Sequence, residues 1–193
     1  INNVDIAFNI LLIISDESTE HSYACIVVTS PTDSSVSTTY YLELATNRQG
    51  FEDLVAFVDK LQNENNLTYN SSEVIVGTGG KQCIFNLCLA ILDHGDEVII
   101  PAPYWVSYTD IAELTGAKSV VIPCGIAQEF KVLPSQLEDA ITENTKLVML
   151  NSPSNPTGSV YSKDELKKLA EILLKHPNVF IGTDDIYEKI NLN

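Results

Sequence analysis

Apolar residues recur along most of this chain in two alternating rhythms. From about Gly50 to Ile190, short continuous apolar runs are separated by stretches with apolar residues every three or four positions. Residues 51–66 place Phe51, Leu54, Val55, Val58 and Leu61 on one face, the spacing of an amphipathic helix. Glu73–Thr78 (EVIVGT) predicts a strand, and Gly79-Gly80 opens a helix running to Leu92. After the turn at His94-Gly95-Asp96, Glu97–Ile100 predicts another strand, broken by Pro101 and Pro103. Trp105–Leu114 predicts a helix closed by Gly116. Ser119–Pro123 and Lys146–Leu150 predict strands, with the brief helix PSQLEDAI, opened by Pro134, between them. Ser162 and Glu165 form an S-x-x-E capping box for a helix to about Lys175, and Asn178–Thr183 is the last strand. Short apolar strands alternating with helices imply an α/β fold with a mostly parallel sheet flanked by helices.

Residues 1–49 do not keep this rhythm. Ile6–Ile14 and Ala24–Thr29 have strand character, and TSPTDSSVSTTY reads as a loop or linker. The chain therefore divides into a divergent segment, 1–49, and a regular α/β unit, 50–193. It starts at Ile1 rather than Met, so the numbering is expected to begin inside a longer reading frame or after processing. The apolar run Val4–Ile14 is shorter than the roughly 18 residues of a membrane span and has no basic leader.

Composition narrows the partners. The formal net charge of −15 is spread along the chain and argues against nucleic acid or an anionic membrane surface, both polyanions. Cys25, Cys83, Cys88 and Cys124 form no C-x-x-C pair and have no histidine at zinc-ligand spacing, so no metal site is expected. They read as buried reduced thiols, in keeping with a cytoplasmic protein.

Four stretches follow predicted strands, where open α/β sheets place their ligands. Gly77-Thr78-Gly79-Gly80-Lys81-Gln82 joins strand to helix. It suits an anion at a helix N-terminus, lacks the Walker A spacing, and is equally a tight turn. Pro101–Trp105 holds the only tryptophan, either a stacking surface for a flat ring or a core aromatic. Asn151-Ser-Pro-Ser-Asn-Pro-Thr-Gly158 is either a turn or a setting for Asn155 as a donor to a ligand. Thr183-Asp-Asp-Ile-Tyr-Glu188 puts Asp184 at a strand end, where it can hold a protonated ring nitrogen or simply be solvated.

Taken together and in order, GTGGKQ, PAPYWVSY, NSPSNPTG and DDIYE resemble the class I aminotransferases of fold type I. The likeness spans about residues 50–190, and ILDHGDEVIIPAPYWVSY is similar to the prokaryotic aspartate aminotransferase branch. The resemblance implies part of a three-layer large domain that binds pyridoxal 5′-phosphate (PLP). Gly79, Gly80 and Lys81 would give backbone N–H groups to the phosphate, and Trp105 would stack on the pyridine ring. Asn155 and Tyr187 would hydrogen-bond the phenolic oxygen, and Asp184 would pair with the ring nitrogen. Asp185 stands where the family has Glu. The implied reaction is amino transfer between an amino acid and a 2-oxo acid, aspartate and 2-oxoglutarate foremost, in a homodimer.

The resemblance also implies parts that this sequence does not carry. The lysine that joins PLP in Schiff-base linkage belongs to an S-x-x-K segment expected beyond Asn193, so no catalytic lysine is assigned. Arg48 is the only arginine, whereas the family holds carboxylates with arginines further on. Gly50–Leu54 matches only the end of the family's Y-x-x-x-x-G-x-x-x-L-R stretch, and Tyr40 and Tyr41 are misplaced for its phosphate-binding tyrosine. Three readings follow: the large-domain part of an aminotransferase, inactive alone; a non-catalytic remnant that binds PLP weakly or acts as an interaction module; or another fold-type-I chemistry such as a C–S lyase or decarboxylase. An open sheet edge beside the Asp184 strand, with poor solubility, is a further expectation.

Overall fold

The computed structural model describes residues 10–15, 24–27, 58–64, 66–70, 74–77, 79–188 and 190. Its strands are β1 (Ile10–Ser15), β2 (Ala24–Val27), β3 (Val74–Gly77), β4 (Glu97–Ala102), β5 (Lys118–Pro123), β6 (Thr145–Asn151) and β7 (Phe180–Asp184). Residues 58–64 form a helical stretch, α1. The other helices are α2 (Gly80–Ile91), α3 (Ser107–Leu114), α4 (Pro134–Ala140) and α5 (Lys163–Leu173). Of the helix expected over 51–66, residues 51–57 and 65 fall outside the described residues and Asn66, with φ +55°, is not helical; Arg48, Tyr40, Tyr41, Thr78 and the TSPTDSSVSTTY stretch also fall outside them.

All seven strands share one sheet in the order β3-β2-β1-β7-β6-β4-β5. Parallel pairing joins β1–β7, β6–β7, β4–β6 and β4–β5, while β2 runs antiparallel to both β1 and β3. The expected fold class is thus present. Strand alternation explains the layering. Val98, Ile100, Leu147 and Met149 face a core completed by Cys83, Ile84, Leu87 and Cys88 of α2 and Ile111 and Ala112 of α3. Ile99, Val148, Leu150 and Ile181 face the other way, onto Leu137 of α4 and Leu169, Ile172 and Leu173 of α5. A sheet covered on both faces needs continuous apolar strands, which is why these segments carry no polar alternation.

Two expectations are corrected. β4 continues through Pro101 to Ala102 rather than stopping at Ile100. Its ladder to β5 runs to Ala102↔Pro123, while its register with β6 is set by Glu97–Ile99, so the proline's missing N–H falls past that ladder. The strand ending at Asp184 is also not an open edge. β1, from the N-terminal segment, pairs with it from Ile10↔Ile181 to Ile13↔Asp184, and the edge strands among the described residues are β3 and β5.

The local signals work as chemistry predicts. Ser162 caps α5: its side chain accepts from the Glu165 N–H (3.3 Å), and the Glu165 carboxylate accepts from the Ser162 N–H (2.7 Å). Cys83, Cys88 and Cys124 are buried thiols, and desolvation pushes Cys88 up to about 12.

Candidate functional site

Four loops leave the carboxyl ends of strands on one side of the sheet and enclose a cleft of about 300 Å³. Gly79 and Gly80 follow β3, Trp105 follows β4, Asn155 follows β6, and Asp184 closes β7. All seven residues singled out from the sequence as cofactor ligands, namely Gly79, Gly80, Lys81, Trp105, Asn155, Asp184 and Tyr187, line this cleft. Tyr108, Asn151, Ile84 and Ile186 complete it.

The first wall is the N-terminus of α2. Gly79 has φ +95°, a left-handed conformation that strains any residue with a Cβ. Among the described residues no side chain caps this helix, and no acid stands in its first turn. The Gln82 and Cys83 N–H groups donate to the Gly79 carbonyl at 3.1 and 3.3 Å, which leaves the Gly80 and Lys81 N–H groups at the positive end of the helix to face the cleft. Lys81 extends over the Trp105 ring, 5.0 Å from the centroid, and is the one cation lining the cleft among the described residues.

The opposite chemistry comes from β7. Asp184 is buried, with Oδ2 accepting from the Tyr108 hydroxyl at 2.6 Å and Oδ1 from the Ile186 N–H at 3.4 Å. Burial raises its pKa, and the Tyr108 and Ile186 bonds oppose that rise. Asp185 is also raised, to about 6, chiefly by burial. Tyr108 stays protonated because burial and the adjacent Asp184 both push its phenol upward. Its ring meets Trp105 edge-on, with centroids 5.5 Å apart and planes at 86°.

The NSPSNPTG loop is tied to the same strand. Asn151 Nδ2 donates to the Asp184 carbonyl (2.6 Å), and Asn151 Oδ1 accepts from the Asn155 N–H (2.6 Å). Asn155 Nδ2 in turn donates to the Tyr187 hydroxyl at 3.3 Å. Asn155 and Tyr187, 32 residues apart, thus present two polar groups side by side. Tyr108 and Asn151 had no role assigned from sequence. The signals were present: Tyr108 lies one helical step past Trp105, and Asn151 is the final residue of an apolar strand.

The donor set fits a flat molecule with an anionic group and a protonated ring nitrogen. A helix N-terminus offers N–H groups, an indole offers a face, and a buried carboxylate has no cation bonded to it among the described residues. This combination, on a three-layer α/β sheet, has the chemistry to hold a ligand of that kind.

The family model described as "Aminotransferase class I and II" matches residues 26–193, and the chain belongs to that family. Among particular relatives, it is 53% identical over 138 residues to an aspartate/prephenate aminotransferase of Nitrosomonas europaea, covering 72% of this chain and 35% of that protein. The solved aspartate aminotransferase of Rhizobium meliloti superposes with TM-score 0.71 at 47% identity, over 72% of this chain and 35% of its own. That of Thermus thermophilus, solved with maleate, gives 0.67 at 41% identity, over 70% and 35%. The chain spans about a third of the length of these relatives.

Proposed function

We propose that this chain is the cofactor-binding part of a PLP-dependent aminotransferase, with residues 50–193 forming part of its large domain. The reaction is amino transfer between an amino acid and a 2-oxo acid, with aspartate and 2-oxoglutarate the leading pair. The observation that carries this is the shared cleft, which joins a helix N-terminus, an indole face and a buried carboxylate that no cation among the described residues meets. Kinship with aspartate/prephenate aminotransferases supports the substrate class, as does the dicarboxylate bound to the Thermus thermophilus enzyme.

Each side chain has a defined task. N–H groups of Gly79, Gly80 and Lys81 hold the phosphate at the α2 terminus. Trp105 stacks on the ring, and Asn155 and Tyr187 hydrogen-bond its phenolic oxygen. Asp184 pairs with the ring nitrogen and keeps a proton there. PLP, when bound, supplies a protonated aromatic ring that accepts an electron pair from a substrate Cα. The family's homodimeric assembly and a cytoplasmic setting belong to the same proposal. No helix among the described residues is long and apolar enough to cross a membrane.

Trp105, the only tryptophan, makes the proposal directly testable. Titrating the 193-residue chain with PLP should quench its fluorescence saturably, and inorganic phosphate should compete. Absence of saturable quenching, or quenching indifferent to phosphate, would overturn the cofactor reading. Where a full-length product is isolated, an amino-acid panel separates amino transfer from lyase or decarboxylase chemistry. Transfer from aspartate to 2-oxoglutarate is expected, and elimination or CO₂ release without transfer would sink the reaction class.

A further inference from the structure

A buried carboxylate that must meet a cationic ligand faces a conflict. Burial favours its protonated form, yet only the ionised form can pair with a protonated nitrogen. The structure shows how this chain resolves the conflict. Tyr108 is 4% exposed, and its hydroxyl donates to Oδ2 of Asp184 at 2.6 Å. Its own N–H donates to the Trp105 carbonyl at 3.0 Å, and its ring abuts the indole edge. One short segment therefore carries both the stacking surface and the hydroxyl that grips the acid.

We propose that Tyr108 is a positioning residue: its hydroxyl clamps Oδ2 of Asp184, favours the ionised carboxylate, and leaves Oδ1 to meet a protonated ring nitrogen. This deepens the cofactor reading above and rests on it. Oδ1 has only the 3.4 Å amide of Ile186, a weak contact that leaves room for a stronger donor. A phenol suits this task because it remains a neutral donor throughout the physiological range, whereas a histidine there would change its charge. The other charged or titratable groups near Asp184 are Asp185 and Tyr187 beyond β7 and Lys81 at the head of α2. Burial, which raises the Asp184 pKa, is opposed by the Tyr108 hydroxyl first and the Ile186 amide second.

The test uses the 193-residue chain with ¹³C-labelled aspartate carboxyl groups, assigned by Asp184→Asn. In the ligand-free chain, Tyr108→Phe should raise the Asp184 pKa by about one unit, since it removes a bond to the charged form. PLP affinity at neutral pH should fall about tenfold, the effect of losing one hydrogen bond to a charged group. The same substitution in an Asp184→Asn background should leave PLP affinity unchanged, because Tyr108 acts through the carboxylate. An unmoved Asp184 titration, or equal loss in both backgrounds, overturns the proposal. Failure of the parent chain to bind PLP would instead sink the cofactor reading and the pyridinium pairing with it. The carboxyl titration would then decide alone whether Tyr108 sets the ionisation of Asp184. Near-ultraviolet dichroism of Trp105 checks that the variants are folded, and Tyr108→His provides a second variant. An imidazole keeps an N–H donor in both protonation states, so Tyr108→His should bind PLP more tightly than Tyr108→Phe, and affinity no better than that of Tyr108→Phe would count against the clamp.

Discussion

Glu97 and Asp184 stand at opposite ends of one sheet, each only 7% exposed, and their chemistry diverges. Glu97 begins β4 at the amino edge. Its Oε1 receives Lys118 at 2.8 Å and its Oε2 receives the Thr142 hydroxyl at 2.6 Å. Those two bonds hold its pKa below the usual range. The Lys118 side chain that covers it is 71% exposed, so the pair is shallow and partly solvated. Asp184 ends β7 at the carboxyl edge. It has a neutral hydroxyl and a distant amide in place of a cation, and burial raises its pKa. A carboxylate satisfied from within is structural. A buried one without an internal cation is a site that a ligand can complete.

The strongest way to break this contrast is Asp184→Asn. PLP affinity should drop about a hundredfold, the upper range for a charge-assisted bond. The melting temperature of the ligand-free chain should hold or rise, because a buried uncompensated charge is removed while Asn still accepts from Tyr108. A fall in both quantities would make Asp184 another structural acid.

The second effect concerns pH. A carboxyl group with a raised folded pKa binds its proton more tightly when folded. Its folded state is therefore most favoured with the proton on, and stability declines as pH rises. For Asp185 the window runs from 3.8 to about 6. At about 1.4 kcal/mol per unit, the loss across it is about 2–3 kcal/mol. Asp185→Asn should flatten urea-derived stability over that window, and an unchanged slope would place the titration elsewhere. Glu97 has the opposite sign: its stabilisation is full above the ordinary carboxyl range and disappears as pH falls through its lowered folded pKa. Glu97→Ala should cost about 1 kcal/mol at pH 7, chiefly by removing the acceptor of the Thr142 hydroxyl, since the exposed Lys118 is rehydrated. It should also remove the Glu97 share of the acid-side decline while leaving PLP binding intact. A matching loss of PLP affinity would erase the distinction between the two ends.

Much of this was legible in the sequence, for identifiable reasons. β4 through β7 and α2 through α5 obey local rules: apolar runs such as EVII and KLVML, the Ser162–Glu165 box, and Pro134 at a first turn. The seven assigned cleft residues were legible because each lies in a stretch that follows a strand, and the four stretches together resemble one family. The partner of β7 was not legible. Pairing between Ile10–Ile13 and Ile181–Asp184 joins residues about 170 positions apart, which no local pattern encodes. Nor was the link from Tyr108 to Asp184, made across 76 positions by a tyrosine whose spacing suits core packing equally well. Pro101 misled because a proline reads as a break until the partner register is known.

The smallest expected effect calibrates the rest. Glu165 is a third satisfied acid: Lys131 reaches it at 2.9 Å, the Ser162 N–H donates to it at 2.7 Å, and it is held at about 2. Ser162→Ala removes the hydroxyl that accepts the Glu165 N–H at the head of α5 but leaves those bonds to the Glu165 carboxylate. The cost should be about 1 kcal/mol, the typical value of an N-cap. α5 packs on the sheet face away from α2 and α3, so PLP affinity and its pH dependence should not move. Denaturant melts and the Trp105 titration measure the two quantities on one sample. A shift in PLP affinity from this substitution would show that global stability leaks into the binding readout. The losses expected for Asp184→Asn and Tyr108→Phe would then have to be corrected by that amount before either is ascribed to the carboxylate.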